Sequence, residues 1–306
     1  MILSNIVHLL QIPSSIMKIF PLYVIITTRN QLQKELFNMP TKEINGVNIY
    51  YELKGESKET VAFLNGVAMS TPWWEPQVKA VKDNYNVLLH DFRGQGQSTL
   101  EPNNFTFEQH ADDFYELLEE LEIDKVHIVG VSYGAEVAMV FALKYPEKIS
   151  SLLLGTAVSE VRPLLKAKIE AWILASKTYN GKLFFKVMAP YVYSNSFYEK
   201  KGEWLEDRAE KFGEIVTKEW FDAFIALCEN FLTLDITDKL SEIDIPTLVV
   251  SAEEDILKPP LYGQIIHNQI DNSVFKVIEG SGHGLFAEKP VEFNETIIQF
   301  IENNSN

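Results

Sequence analysis

The stretch Val126-His127-Ile128-Val129-Gly130-Val131-Ser132-Tyr133-Gly134 constrains the rest of the chain most. It opens as an apolar, β-branched run, passes through a Gly-x-Ser-x-Gly pentad, and continues into Val137, Ala138, Val140 and Phe141 at helical spacing. This is the sequence of a tight turn from a parallel strand into a helix, with a serine hydroxyl lifted clear of the sheet. Glycine flanks the serine because the two backbones approach closely there and a Cβ would clash. The pentad alone carries little weight, since ordinary Gly and Ser usage supplies it by chance roughly 0.1 times in a chain of this size. The reading depends on what the remaining segments add.

Those segments alternate. Ile44-Asn45-Gly46-Val47 carries an Asn-Gly hairpin signal, with Ile49 to Leu53 as the strand that follows. Val61 to Leu64 and Val87 to Leu89 read as short buried strands, separated by a helix over Pro72 to Val81 with Trp74, Val78 and Val81 on one face. Thr106 to Glu122 is helical, opened by a Thr106/Gln109 capping box, with Phe114, Leu117, Leu118 and Leu121 toward the core. Ser151 to Leu154 is another strand. The pattern then turns helical and aromatic, and resumes with strands at Pro246 to Val250 and Val274 to Ile278 and helices at Leu261 to Ile270 and around Phe293 to Ile301. Strand-helix alternation predicts an α/β fold with a mostly parallel, doubly wound sheet. The interruption predicts a helical cap over residues 157–240, inserted into a core made of residues 41–156 and 241–306.

Composition excludes several partners. A formal charge of −16, with no clustered Lys/Arg stripe, repels phosphate backbones and anionic lipid surfaces, so no nucleic-acid partner is expected. The single cysteine, Cys228, allows no internal disulfide and points to a reducing, cytoplasmic compartment. Met1 to Thr28 is rich in Ile, Leu and Val, but Pro13, Lys18 and Pro21 break it, and no run approaches the roughly 18 apolar residues of a membrane span. Lys18 followed by Ile19 to Thr28 lacks the basic start and small-residue cleavage site of a signal peptide. Residues 1–40 are therefore expected to be an extension outside the fold, or a chain start upstream of Met39.

A serine hydroxyl is a weak nucleophile until a base takes its proton, and the base works best when a carboxylate fixes its tautomer. Two later strands end in suitable groups: Ser251-Ala252-Glu253-Glu254-Asp255 and Glu279-Gly280-Ser281-Gly282-His283-Gly284. Both fall at strand carboxyl ends, where ligands bind in open α/β sheets. Ser132, Asp255 and His283 also stand in the chain order expected of such a set. Glu253, Glu254 and the more distant Glu160 are alternative acids, while His127, in an apolar strand, reads as structural. Backbone N–H groups of Tyr133 and of Val67 are the expected donors to a developing oxyanion. The glycines between Asp91 and Ser98 fit neither G-x-G-x-x-G nor a P-loop and read as a structural turn. The chemistry calls for no cofactor and no metal.

Gly130-Val131-Ser132-Tyr133-Gly134, Asp91-Phe92-Arg93-Gly94-Gln95-Gly96-Gln97-Ser98, Ser251 to Asp255 and Gly280-Ser281-Gly282-His283 together resemble the α/β-hydrolase superfamily, from about Ile44 to Ile301. The resemblance implies Ser132 as nucleophile, His283 as general base and then acid, Asp255 as its orienter, and an Asp91/Arg93 turn that braces the oxyanion loop. Two departures stand out: Asn65-Gly66 where many relatives have His-Gly, and Ala135-Glu136 where a second glycine is common. A serine at the elbow sets the chain apart from relatives with aspartate there. The implied reaction is hydrolysis of a carboxylic ester, lactone or thioester of a small apolar acyl or aromatic compound. Trp74 and Tyr133 are expected to face that substrate. The alternatives are acyl transfer to a hydroxyacyl acceptor and a ligand receptor on the same scaffold.

Overall fold

A computed structural model describes residues 41–102 and 105–305. The expectations for residues 1–40 lie outside the described residues.

The Asn-Gly turn closes a two-residue hairpin between β1 (Thr41–Ile44) and β2 (Val47–Lys54), with Ile44 opposite Val47. Asn45 and Gly46 both take positive φ, 48° and 78°, as this turn requires. Then follow β3 (Thr60–Leu64), α1 (Glu75–Val81), β4 (Asn86–His90), α2 (Phe107–Glu120), β5 (Val126–Val131), α3 (Tyr133–Lys144) and β6 (Ile149–Gly155). Four helices come next: α4 (Pro163–Ser176), α5 (Gly181–Val192), α6 (Asn195–Ile215) and α7 (Lys218–Phe231). The chain returns through β7 (Thr247–Ala252), α8 (Pro260–Gln269), β8 (Ser273–Ile278), α9 (Leu285–Glu288) and α10 (Pro290–Glu302).

The strands form one eight-stranded sheet in the order β1-β2-β4-β3-β5-β6-β7-β8. β1 and β2 pair antiparallel, β2 meets β4 antiparallel, and all later pairings are parallel. Strand side chains alternate between two cores. Ala62, Leu64, Val126 and Ile128 face α2 and α3, while Val61, Phe63, Val129 and Val131 face α1 and α10. Burial on both faces explains why β3, β5 and β7 read as continuous apolar runs rather than alternating ones. Trp74, Val78 and Val81 pack into the second core, as the helical spacing predicts.

The capping box at α2 is only half made. Thr106 Oγ1 accepts from the Gln109 N–H at 3.0 Å, but the Gln109 side chain turns away and donates to Asp113 Oδ1 at 3.1 Å. Five aromatics of α5 to α7 interlock: Phe184, Phe212, Trp220, Phe221 and Phe224 form ring pairs with centroids 4.8–5.9 Å apart. They hold these three helices together rather than line a pocket. No helix among the described residues is long and apolar enough to cross a membrane.

Candidate active site

Ser132 sits between β5 and α3 with φ 51° and ψ −121°, a conformation that an L-residue adopts only when its surroundings impose it. Its N–H donates to Gly155 O at 2.8 Å, which pins the turn to β6. The flanking glycines are steric requirements. A Cβ on Gly130 would lie 2.7 Å from Gly134 O, and one on Gly134 would lie 2.2 Å from Leu64 O.

His283 lies in the loop after β8, with Nε2 2.9 Å from Ser132 Oγ and Nδ1 2.7 Å from Asp255 Oδ2. Asp255 follows β7, and its other oxygen, Oδ1, accepts from the N–H groups of Leu257 and Lys258, both at 2.8 Å. The carboxylate is thus locked before it meets the imidazole. Of the alternative acids, Glu253 accepts from the Gly280 N–H, in the loop that carries His283, and Glu160 from Arg162. His127 Nδ1 is 2.8 Å from Ser151 Oγ, a structural pairing within the sheet.

The loop after β3 is held by an unusual hub. Asn65 is fully buried, accepts from Trp74 Nε1 at 2.8 Å, and donates to His90 O at 3.1 Å and to Asp91 Oδ1 at 3.0 Å. Asp91 also accepts from the N–H groups of Thr71 at 2.8 Å and Gln97 at 2.9 Å, and burial raises its carboxyl pKa. Gln95 completes the brace by donating to Gly66 O at 3.1 Å. Arg93 does not take part. Its guanidinium turns to Asp113 on α2, at 2.5 and 2.8 Å, because that carboxylate offers both oxygens to the planar fork. The bracing pair is therefore Asp91 and Gln95.

A cavity of about 80 Å³ opens above Ser132. Its wall includes Val67, Met69, Trp73, Trp172, Met188, Tyr193 and Phe286. A smaller space of about 10 Å³, also bordered by Ser132, is lined by Val67, Tyr133, Ile169, Phe231 and Lys258, among others. Tyr133 borders this second space with its hydroxyl accepting from Asn230 Nδ2 at 2.8 Å. Trp74 is not at the cavity. It is fully buried under Phe63, with its indole N–H given to Asn65, because the face it shares with Val78 and Val81 packs on the sheet. Its neighbour Trp73 faces the cavity instead, together with Trp172.

Sequence reasoning missed Lys258. The residue is 3% exposed, and its ammonium donates to Ser132 Oγ at 3.2 Å and to both oxygens of Glu136 at 3.0 and 2.9 Å. The available signal was Glu136 itself, a carboxylate among Ala135, Val137 and Ala138 in an otherwise apolar turn of α3.

A strained serine, an imidazole and a locked carboxylate in series, at the carboxyl ends of three strands of a mostly parallel sheet, define the α/β-hydrolase class of protein. The profile of the alpha/beta hydrolase fold matches residues 59–290, and the chain belongs to that family. Among its relatives is the candidate carbamate hydrolase RutD of Caulobacter segnis, 26% identical over 269 residues that cover 86% of this chain and 99% of the relative. Among solved structures, MGS-M2, an alpha/beta hydrolase enzyme from a Medee basin deep-sea metagenome library, is 31% identical with a TM-score of 0.84, covering 87% of this chain and 98% of its own. Est816, described as an N-acyl homoserine lactone degrading enzyme, is 28% identical with a TM-score of 0.73, covering 85% and 100%.

Proposed function

We propose that the protein is a serine hydrolase that cleaves carboxylic esters or lactones of small apolar acyl groups through an acyl-enzyme. The observation that carries this reading is the unbroken series from Ser132 Oγ through His283 to Asp255, at 2.9 and 2.7 Å. Ser132 Oγ attacks the acyl carbon as its proton passes to His283 Nε2, and Asp255 holds the imidazole in the tautomer that can receive it. The N–H groups of Tyr133, at the start of α3, and of Val67 receive the oxyanion. His283 then gives its proton to the leaving oxygen, draws one from water, and water releases the acid.

The apolar wall and the volume favour a small acyl group. At about 80 Å³ the cavity is well below the roughly 300–1,000 Å³ of pockets that enclose drug-sized ligands. The relatives' names, a candidate carbamate hydrolase and an N-acyl homoserine lactone degrading enzyme, also point to a carbonyl bonded to a heteroatom. The test is hydrolysis of p-nitrophenyl esters of increasing acyl length. The reading expects the highest kcat/KM for the shortest chains, a steep fall as the chain lengthens, and loss of release in Ser132→Ala. Equal release by Ser132→Ala contradicts it. Offering a hydroxyacyl acceptor in the same assay separates transfer from hydrolysis by whether an ester product accumulates.

A further inference from the structure

One buried charged pair has no part in the mechanism described so far. Glu136 is fully buried on α3, and its carboxylate accepts from Lys258 Nζ at both oxygens and from the Val158 N–H at 2.9 Å. Burial raises its carboxyl pKa, and the charge of Lys258 opposes that rise. Every group facing Glu136 in these contacts is a donor, so the ionised form satisfies the whole arrangement. Lys258 is fixed in turn, its backbone N–H bonded to Asp255 Oδ1 and its ammonium 4.7 Å from the Phe231 ring centre.

The ammonium's remaining contact is the reacting oxygen, Ser132 Oγ, at 3.2 Å. An ammonium has three N–H donors and no lone pair, so Oγ can only accept from it. The hydroxyl proton must then point elsewhere, and its partner is His283 Nε2 at 2.9 Å. Lys258 thereby selects the one hydroxyl orientation from which proton transfer can occur. A buried ion pair is weak evidence of stabilisation, because apolar residues of similar volume often serve as well. A charge at hydrogen-bond distance from the nucleophile, in surroundings of low polarisability, acts strongly on any charge that develops there.

We propose that Lys258, positioned by Glu136, is a further catalytic residue, donating to Ser132 Oγ and stabilising the negative charge this oxygen carries as it attacks and again as it leaves. The proposal rests on the reading of Ser132 as nucleophile. As the Oγ–carbon bond forms, the hydroxyl proton goes to His283 and the carbonyl electron pair moves to the oxyanion. Lys258 keeps all three protons throughout, since Glu136 supplies its counter-charge. In deacylation the carbon–Oγ bond breaks, its electron pair returns to Oγ, and His283 returns the proton. The ammonium assists that departure by contacting Oγ itself, where Tyr133 and Val67 serve the carbonyl oxygen.

The test compares wild type with Lys258→Met/Glu136→Gln, which removes both charges and leaves side chains of similar length. The folded variant is expected to lose about tenfold or more in kcat on a short p-nitrophenyl ester and in its second-order rate of labelling by a fluorophosphonate, with KM changed less than about threefold. Labelling and turnover at the wild-type rates in a folded variant overturn the proposal, and leave only a structural role. Should the variant not fold, the crystal structure of wild type phosphonylated at Ser132 decides: Nζ is expected within about 3.5 Å of Oγ, and a longer separation overturns the proposal. Failure of the fluorophosphonate to label wild type at Ser132 overturns the nucleophile reading itself.

Discussion

The carboxylate of Glu288 accepts from the Ser194 N–H at 3.1 Å and the Ser194 hydroxyl at 2.5 Å, joining α9 to the junction of α5 and α6. The same carboxylate accepts from the Gly282 N–H at 3.2 Å, and the Gly284 N–H donates to Val192 O at 2.9 Å. The loop that carries His283 is thus tied on both sides of the imidazole to the helices that roof the cavity. Burial raises the Glu288 carboxyl pKa, against the pull of these donors. Glu288→Ala leaves the donors unpaired. It is expected to cost about 1–3 kcal/mol in urea unfolding, and to lower kcat more than the distant control Glu203→Ala. Unchanged kcat in Glu288→Ala contradicts a positioning role.

The glycines of the elbow make a sharper steric prediction. Gly134→Ala puts a methyl 2.2 Å from the Leu64 carbonyl, a backbone atom that cannot step aside without moving β3. About 3 kcal/mol or more of stability should be lost, with activity. Gly202→Ala is the control, since nothing lies within 4 Å of its Cβ position in α6. There an alanine should raise stability by up to about 1 kcal/mol. Thermal unfolding of the two variants reads the difference, and a Gly134→Ala protein as stable as wild type contradicts the packing described.

Trp73 and Trp74 should separate function from stability. Trp73→Ala enlarges the cavity wall and is expected to shift the preferred acyl chain toward longer esters with little change in melting temperature. Trp74→Phe leaves Asn65 Oδ1 without its buried donor and should cost about 1–3 kcal/mol. Kinetics across an ester series together with melting curves test both. Identical selectivity in Trp73→Ala, or an undiminished melting temperature in Trp74→Phe, contradicts the assignment.

Two buried histidines predict acid sensitivity. Burial lowers the His90 and His110 pKa values to about 3, with the Arg93 charge also acting on His110. The unfolded chain takes up these protons near pH 6.5, the folded chain only near pH 3. Their contribution is therefore complete above about pH 6.5 and is lost as the pH falls through that window, at about 1.4 kcal/mol per pH unit for each ring. His90→Phe/His110→Phe should flatten the dependence of the urea midpoint on pH between 7 and 5, relative to wild type. An unchanged slope contradicts the account.

Much of the fold was legible because its signals are local. The Asn45-Gly46 turn, the apolar strands and the tight passage from Val131 to Gly134 each follow from backbone sterics over a few residues. Ser132, Asp255 and His283 could be named because each ends a recognisable strand. What escaped depends on side-chain direction across long separations. Lys258 and Glu136 are 122 residues apart, and nothing local to either says that they meet. The family resemblance placed Arg93 at the oxyanion loop, yet Asp113 on α2 offers a better fork. Trp74 was legible as core from its spacing with Val78 and Val81, and that spacing outweighs its expected place beside the substrate.

The central claim is that Ser132 carries the acyl group. Acid quenching of wild type during turnover of p-nitrophenyl acetate, followed by mass spectrometry of the proteolytic peptides, tests it directly. The account predicts one acetyl group on the peptide containing Ser132, abolished in Ser132→Ala together with turnover. Steady turnover with the acetyl group on another residue, or persisting in Ser132→Ala, would contradict it.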